Sequence, residues 1–67
     1  MRFVILKTSD DSNVMGGELS EDNVYICAYP KPIKDNKHPT KLAVGESSLC
    51  EYSLSGSKGV YRVVRID

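Results

Sequence analysis

The sequence predicts a mainly β protein: one small globular domain over residues 1–67, folded as a barrel or roll of four to five short antiparallel strands. Three observations indicate this class. The stretch Gly59–Asp67 is rich in β-branched residues, which suit a pleated, half-buried surface. Two further runs, Arg2–Lys7 and Leu49–Leu54, have strand-like composition. Helical periodicity is scarce, so curling or closure of the sheet is the expected way to protect its edges.

The stretch Gly59–Asp67 is expected to be the strand around which the rest of the chain folds. Successive side chains of a strand point to opposite faces. One face is mostly apolar and the other is mixed: Val60, Arg62, Val64 and Ile66 against Tyr61, Val63, Arg65 and Asp67. We therefore expect neighbouring strands on both sides. The nearest partner along the chain is Leu49–Leu54, which predicts a hairpin with Val60–Ile66.

The N-terminal strand Arg2–Lys7 has apolar residues on both of its faces. Phe3 and Ile5 share one face, and Val4 and Leu6 share the other. Strands with this pattern are usually covered on both sides. This strand is therefore expected to be a central one.

The segment after the first strand is expected to be a loop. Ser9–Gly17 is a cluster of Ser, Asp, Asn and Gly, which favour turns. Ser20 could then cap a short helical turn, with the acids Glu21 and Asp22 favourably placed in it. This possibility defines the alternative fold, an α+β domain with one short helix within residues 8–23.

Two more strands are expected in the middle of the chain. Val24–Tyr29 is composed mainly of β-branched, aromatic and small apolar residues, and it ends at Pro30 and Pro32, which cannot donate a ladder hydrogen bond. Thr40–Val44 is expected to be a short strand that ends at Gly45.

Composition narrows the classes of function. The chain is 40% hydrophobic and 27% charged, which is ordinary for a globular protein. Nine basic and nine acidic residues cancel, which argues against a nucleic-acid or membrane binder driven by total charge. The apolar run Phe3–Leu6 is too short for a signal peptide, and no run is long enough for a membrane span. A cytoplasmic protein with no membrane partner is expected.

Residues capable of catalysis or metal binding are few. Cys27, Cys50 and His38 are too few for a zinc site of about four ligands, and no C-x-x-C pair occurs. A thiol nucleophile needs a base, and His38 is the only histidine. Packing of both cysteines as small hydrophobes is the simpler interpretation. We therefore expect no catalytic residue, no metal, no cofactor and no enzymatic activity.

The stretch between Thr8 and Asn23 holds five acids and no basic residue, and it lacks the spaced carboxylates of an EF-hand loop. A solvated acidic loop explains it most simply, and a charged docking surface is the sharper hypothesis. We call these five residues the acidic segment: Asp10, Asp11, Glu18, Glu21 and Asp22.

A lysine-rich stretch follows, which we call the lysine segment: Lys31, Lys34, Lys37 and Lys41. Tyr25 and Tyr29 lie just before it. Aromatic side chains next to lysines can form a platform for single-stranded nucleic acid. The stretch is short and the chain carries no excess positive charge, so a solvating role is the simpler interpretation.

An acidic segment and a lysine segment on a neutral scaffold favour a protein-binding module, because complementary charge sets orientation and association rate. A chain this small is expected to occlude a site on a larger protein partner, as small regulators, inhibitors and phage-encoded accessory proteins do. The alternative is a small nucleic-acid-binding β-barrel that uses the lysine segment and its tyrosines. The oligomeric state and the pairing of the cysteines stay open at this level.

Overall fold

One antiparallel sheet dominates the structure, a computed structural model that describes residues 1–23, 30–54 and 57–67. The described residues form five strands in the order β2-β1-β5-β4-β3. The strands are β1 (Arg2–Lys7), β2 (Leu19–Ser20), β3 (Lys31–Pro32), β4 (Ser47–Leu54) and β5 (Ser57–Arg65). All their pairings are antiparallel, and the sheet is open. The mainly β class and the short antiparallel strands are confirmed.

The central strand is β5, which lies between β1 and β4 as its composition predicts. Its hairpin with β4 is confirmed and extends from the pair Leu54–Ser57 to the pair Ser47–Val64. On its other side, β5 pairs with β1 from the pair Phe3–Arg65 to the pair Lys7–Tyr61. The N-terminal strand is thus joined to the C-terminal part of the chain.

The core lies on one side of the three central strands. Directly paired residues of antiparallel strands point to the same face, so the pairs Ile5–Val63 and Cys50–Tyr61 share this side. Tyr52 packs edge-on against Tyr61, with ring centroids 6.3 Å apart and an interplanar angle of 63°. The buried cluster consists of Phe3, Ile5, Cys50, Tyr52 and Val63, with Val14, Leu19 and Tyr61 packed against it.

The mostly apolar face of β5 points away from this core. The register places Val64 beside Val4, and Arg62 between Leu6 and Leu49. Val60 is 40% exposed. The core is therefore built on the mixed face of β5, and the opposite side of the sheet keeps partly exposed apolar residues. We call this side the outer face. Its middle consists of Val4, Leu6, Leu49, Val60, Arg62 and Val64. Four exposed polar residues lie on the same side of β4 and β5: Ser47, Glu51, Ser53 and Lys58.

The predicted strand Thr40–Val44 is wrong. Pro39–Lys41 forms one turn of 3-10 helix, capped by His38, whose Nδ1 accepts a hydrogen bond from the backbone N–H of the second helical residue. The proline at the start of this turn has a fixed φ that suits a helical first position. The backbone N–H of Leu42 donates to the carbonyl of Pro39, and its carbonyl accepts from Arg65 Nη1 at 2.8 Å. The backbone N–H and carbonyl of Leu42, which a strand would use to pair with a neighbouring strand, are thus bonded to Pro39 and Arg65.

The predicted cap at Ser20 is confirmed. Residues 21–23 are helical, and the backbone N–H of Asn23 donates to Ser20 Oγ at 3.4 Å. The predicted strand Val24–Tyr29 lies outside the described residues. Strands account for far more of the described residues than helical turns do, which favours the mainly β fold over the α+β alternative.

The turn Ala43–Glu46 leads into β4 and depends on Gly45, whose φ is +86°. A Cβ added there meets no atom within 4 Å, so only the backbone conformation opposes a side chain.

We expect Gly45→Ala to lower the free energy of unfolding by about 1 kcal/mol or more. Gly17 is the control, because it has equal space and no positive φ. Gly17→Ala should change stability by less than about 0.5 kcal/mol. Equal losses in urea unfolding would contradict the conformational explanation.

Candidate functional site

The acidic segment lies along the edge of the sheet formed by β1 and β2. Asp10, Asp11 and Glu18 belong to the connection between these strands, and Glu21 and Asp22 follow β2 directly. Backbone hydrogen bonds between this connection and β1 hold it against the strand. All five side chains are exposed except Glu21, which is half-buried. The structure therefore gathers the segment at one edge.

Basic residues from the strands neutralise part of this segment. Arg2 Nη1 lies 2.8 Å from Glu18 Oε1, and Arg62 Nε lies 3.8 Å from Asp11 Oδ1. Hydrogen bonds from Ser12 to Asp10 lower the pKa of that carboxyl below its ordinary value. The sequence suggests five uncompensated acids, and the structure corrects this view, because Arg2 and Arg62 reach the segment from distant positions in the chain.

The lysine segment lies at the opposite edge, along and beyond β3. Lys31 is in β3, paired with Glu51 of β4. Lys34 lies in a tight turn with φ 51°, and Lys41 ends the 3-10 helix. Asn36 fixes this turn against β4, because its Oδ1 accepts from the backbone N–H of Leu49 at 3.0 Å. The lysines are thus carried on a loop with a defined conformation.

Lys37 is engaged within the chain. Its Nζ lies 3.1 Å from Glu46 Oε2, and Glu46 Oε1 accepts from the backbone N–H of Ala43 at 2.9 Å. The hydrogen bond from Ala43, followed by the contact with Lys37, holds the pKa of Glu46 below its ordinary value. Lys31, Lys34 and Lys41 make no ion pair with the residues that the structure describes.

Tyr25, Tyr29 and Cys27 lie outside the described residues. The aromatic part of the predicted nucleic-acid platform therefore stays a prediction.

Cys50 is described: it is a free, fully buried thiol 3.4 Å from Ser48 Oγ. Burial raises its pKa, which disfavours the thiolate that a nucleophile requires. His38 contacts Thr40 and caps its own helical turn. Cys50 is thus packed in the core, as its position in a predicted strand suggests, and His38 caps a turn that the sequence did not predict.

Within the described ranges, no three side chains of His, Cys, Asp or Glu are placed to share a metal ion, and no pocket is present. No helix in the same residues is long and apolar enough to cross a membrane. The features that remain for recognition are the two charged edges and the outer face.

The outer face is the surface that the sequence prediction missed. Arg62 occupies its middle row, between Leu6 and Leu49. The other two arginines are held by short hydrogen bonds: Arg2 to Glu18 and Asp67 at 2.7–2.8 Å, and Arg65 to the main-chain oxygens of Leu42 and Asp67 at 2.8 Å. The side chain of Arg62 makes no hydrogen bond to any other described residue and has only the 3.8 Å contact with Asp11. The sequence does contain an indication of this surface, because β1 has apolar residues on both of its faces.

No protein-family model, curated protein or solved structure matches this chain. The functional argument therefore depends on the arrangement of its surface.

Proposed function

We propose that this chain is a non-enzymatic protein-binding module that occludes a site on a larger partner, with the acidic segment as its main contact. One observation carries the proposal: the two charged segments lie at opposite edges of one sheet. The fold therefore has an acidic end and a basic end, although its formal net charge is zero.

Such a distribution suits oriented docking. A partner with a basic patch is attracted to the acidic edge and repelled by the lysine edge, so the two fields together select one orientation. Each exposed charge contributes little alone, and the effect of several charges appears mainly in the association rate. The roles of inhibitor or regulator, including a phage-encoded one, are the functions that such docking would serve.

Nucleic acid is the second candidate ligand, because three of the four lysines at the β3 edge are without an ion pair among the described residues. A phosphate backbone would contact this edge and release counterions. This candidate predicts binding that depends on the lysine edge and not on the acidic one.

Two matched variants separate these candidates. Each reverses three charges that are exposed or half-buried, so the net charge shifts by six (three reversals of two charges each) in opposite directions. Glu18, Lys37 and Asp11 are left unchanged because each is in an ion pair within the chain. The acidic-edge variant combines Asp10→Lys, Glu21→Lys and Asp22→Lys. The lysine-edge variant combines Lys31→Glu, Lys34→Glu and Lys41→Glu.

The partner is first captured from native cell extract with and without nuclease, and association rates are then measured against ionic strength. The proposal expects a protein that survives nuclease treatment. It expects the acidic-edge variant to associate about tenfold more slowly, with a weaker dependence on salt. If only the lysine-edge variant loses binding, and the lost ligand is DNA or RNA, the protein-docking proposal is wrong and the second candidate replaces it.

A further inference from the structure

The middle of the outer face has the composition of an interface core, and polar residues of β4 and β5 border it. Five of the six residues in this middle are apolar, and the sixth is an arginine, a residue type enriched at binding hot spots. The face spans the three central strands, β1, β5 and β4. Val60, which is 40% exposed, and its half-buried neighbours leave apolar surface in contact with solvent. A surface of this kind is stabilised by a covering partner.

The charges around the outer face are arranged so that two copies of the chain can be complementary to each other. The acidic segment borders it on the β2 side, and the lysine segment borders it on the β3 side. β5 is the middle strand of the five described. A twofold rotation about an axis parallel to β5 stacks two outer faces and exchanges their edges. The acidic edge of each copy then lies opposite the lysine edge of the other.

The position of Arg62 is compatible with the same twofold rotation. It lies on the middle strand, close to the axis, so the two copies of Arg62 approach each other. Asp11 lies beside Arg62 on the β1 side of each copy, at 3.8 Å from Nε. Two guanidinium groups and two carboxylates therefore form a neutral group of four at the centre of the stacked faces. Without the two Asp11 side chains, the paired arginines would repel each other.

We propose that this chain forms a symmetric dimer through its outer faces, with β5 along the twofold axis and Asp11 and Arg62 of both copies at the centre. The dimer uses the same charged edges as the proposed docking function, so it competes with a larger partner for them. Dimerisation is measured on the purified chain alone, so the dimer and the docking function can fail independently. A stable interface buries about 800 Å² per partner. That is roughly a fifth of the 4162 Å² surface of the chain, so the interface extends from the middle of the outer face to both charged edges.

The first test compares two apolar residues of nearly equal exposure. Val60 on the outer face is 40% exposed, and Met15, in the loop after β1, is 39% exposed. Sedimentation equilibrium should show the wild type near twice the monomer mass of 7.4 kDa at high concentration. Val60→Lys should weaken dimerisation by about tenfold or more, and Met15→Lys should leave it unchanged. A wild type that stays monomeric at about 1 mM, or equal effects of the two substitutions, would overturn the proposal.

The second test addresses the centre of the interface directly. Arg62→Asp gives a dimer with four acids at its centre, and Asp11→Arg gives one with four arginines, so each variant alone should be monomeric. Mixed in equal amounts, the two variants restore two acids and two arginines and should form a heterodimer. Circular dichroism of each variant alone establishes that it is folded. Two folded variants that fail to associate when mixed would exclude this dimer, whatever other partner the chain binds.

Discussion

Replacing Ile5 with alanine is expected to lower the free energy of unfolding by about 2–5 kcal/mol. Ile5 is fully buried in the core cluster, directly paired with Val63 of the central strand. The substitution removes three heavy atoms and leaves a cavity where β1 and β5 meet. A domain of this length has a total stability of roughly 3–10 kcal/mol, so the variant should be largely unfolded well below the melting temperature of the wild type.

Leu6→Ala is the matched control, because Leu6 has the same size, lies next to Ile5 on the same strand and faces the opposite side. It is only half-buried. We expect it to cost less than about half as much as Ile5→Ala when urea unfolding is measured at a concentration where the chain is monomeric. A larger loss for Leu6→Ala would mean that the core lies on the other side of the sheet.

Arg65→Met is expected to cost about 2–3 kcal/mol. The Arg65 guanidinium donates to the carbonyls of Leu42 and Asp67, both at 2.8 Å. The first bond fixes the segment after the 3-10 helix against β5 and is partly buried. Methionine keeps most of the packing of the arginine stem, so the loss should report the two hydrogen bonds and the carbonyl left without a donor.

Arg62→Met is the control for this prediction. Arg62 lies on the same strand, three residues earlier, and its contact with Asp11 is long and exposed. Exposed ion pairs of this kind contribute little, so its loss should stay within about 0.5 kcal/mol in the monomer. Equal effects of the two substitutions would show that the hydrogen bonds donated by the Arg65 side chain do not stabilise the fold.

Strand composition was sufficient to predict most of the fold. The β-branched content of Gly59–Asp67 and the alternation of Leu49–Leu54 predicted the central strand and its hairpin, because these signals are local. Thr40–Val44 was mispredicted because its structure depends on distant groups. The carbonyl of Leu42 accepts a hydrogen bond from Arg65, which lies 23 residues further along the chain. Local propensity contains no information about such a partner.

The candidate site was predictable in composition and not in arrangement. The acidic and lysine segments are visible as runs in the chain, and each lies at one edge as a unit. Their internal pairing was not predictable, because Glu18 meets Arg2 and Lys37 meets Glu46 only after the strands have paired. The outer face was missed for a related reason: apolar residues on both faces of β1 indicate burial and do not identify what covers each face.

The position of β5 determines when the sheet can form during synthesis. β5 is the last strand in chain order, yet both β1 and β4 pair with it. While the ribosome is still adding residues before Ser57, neither of these strands has its main partner, and the apolar side chains of β1 stay exposed. Folding therefore waits for the C-terminal part of the sequence, and the long separation between β1 and β5 makes that step slow compared with helical proteins of similar length. During this interval the exposed apolar residues put the nascent chain at risk of aggregation.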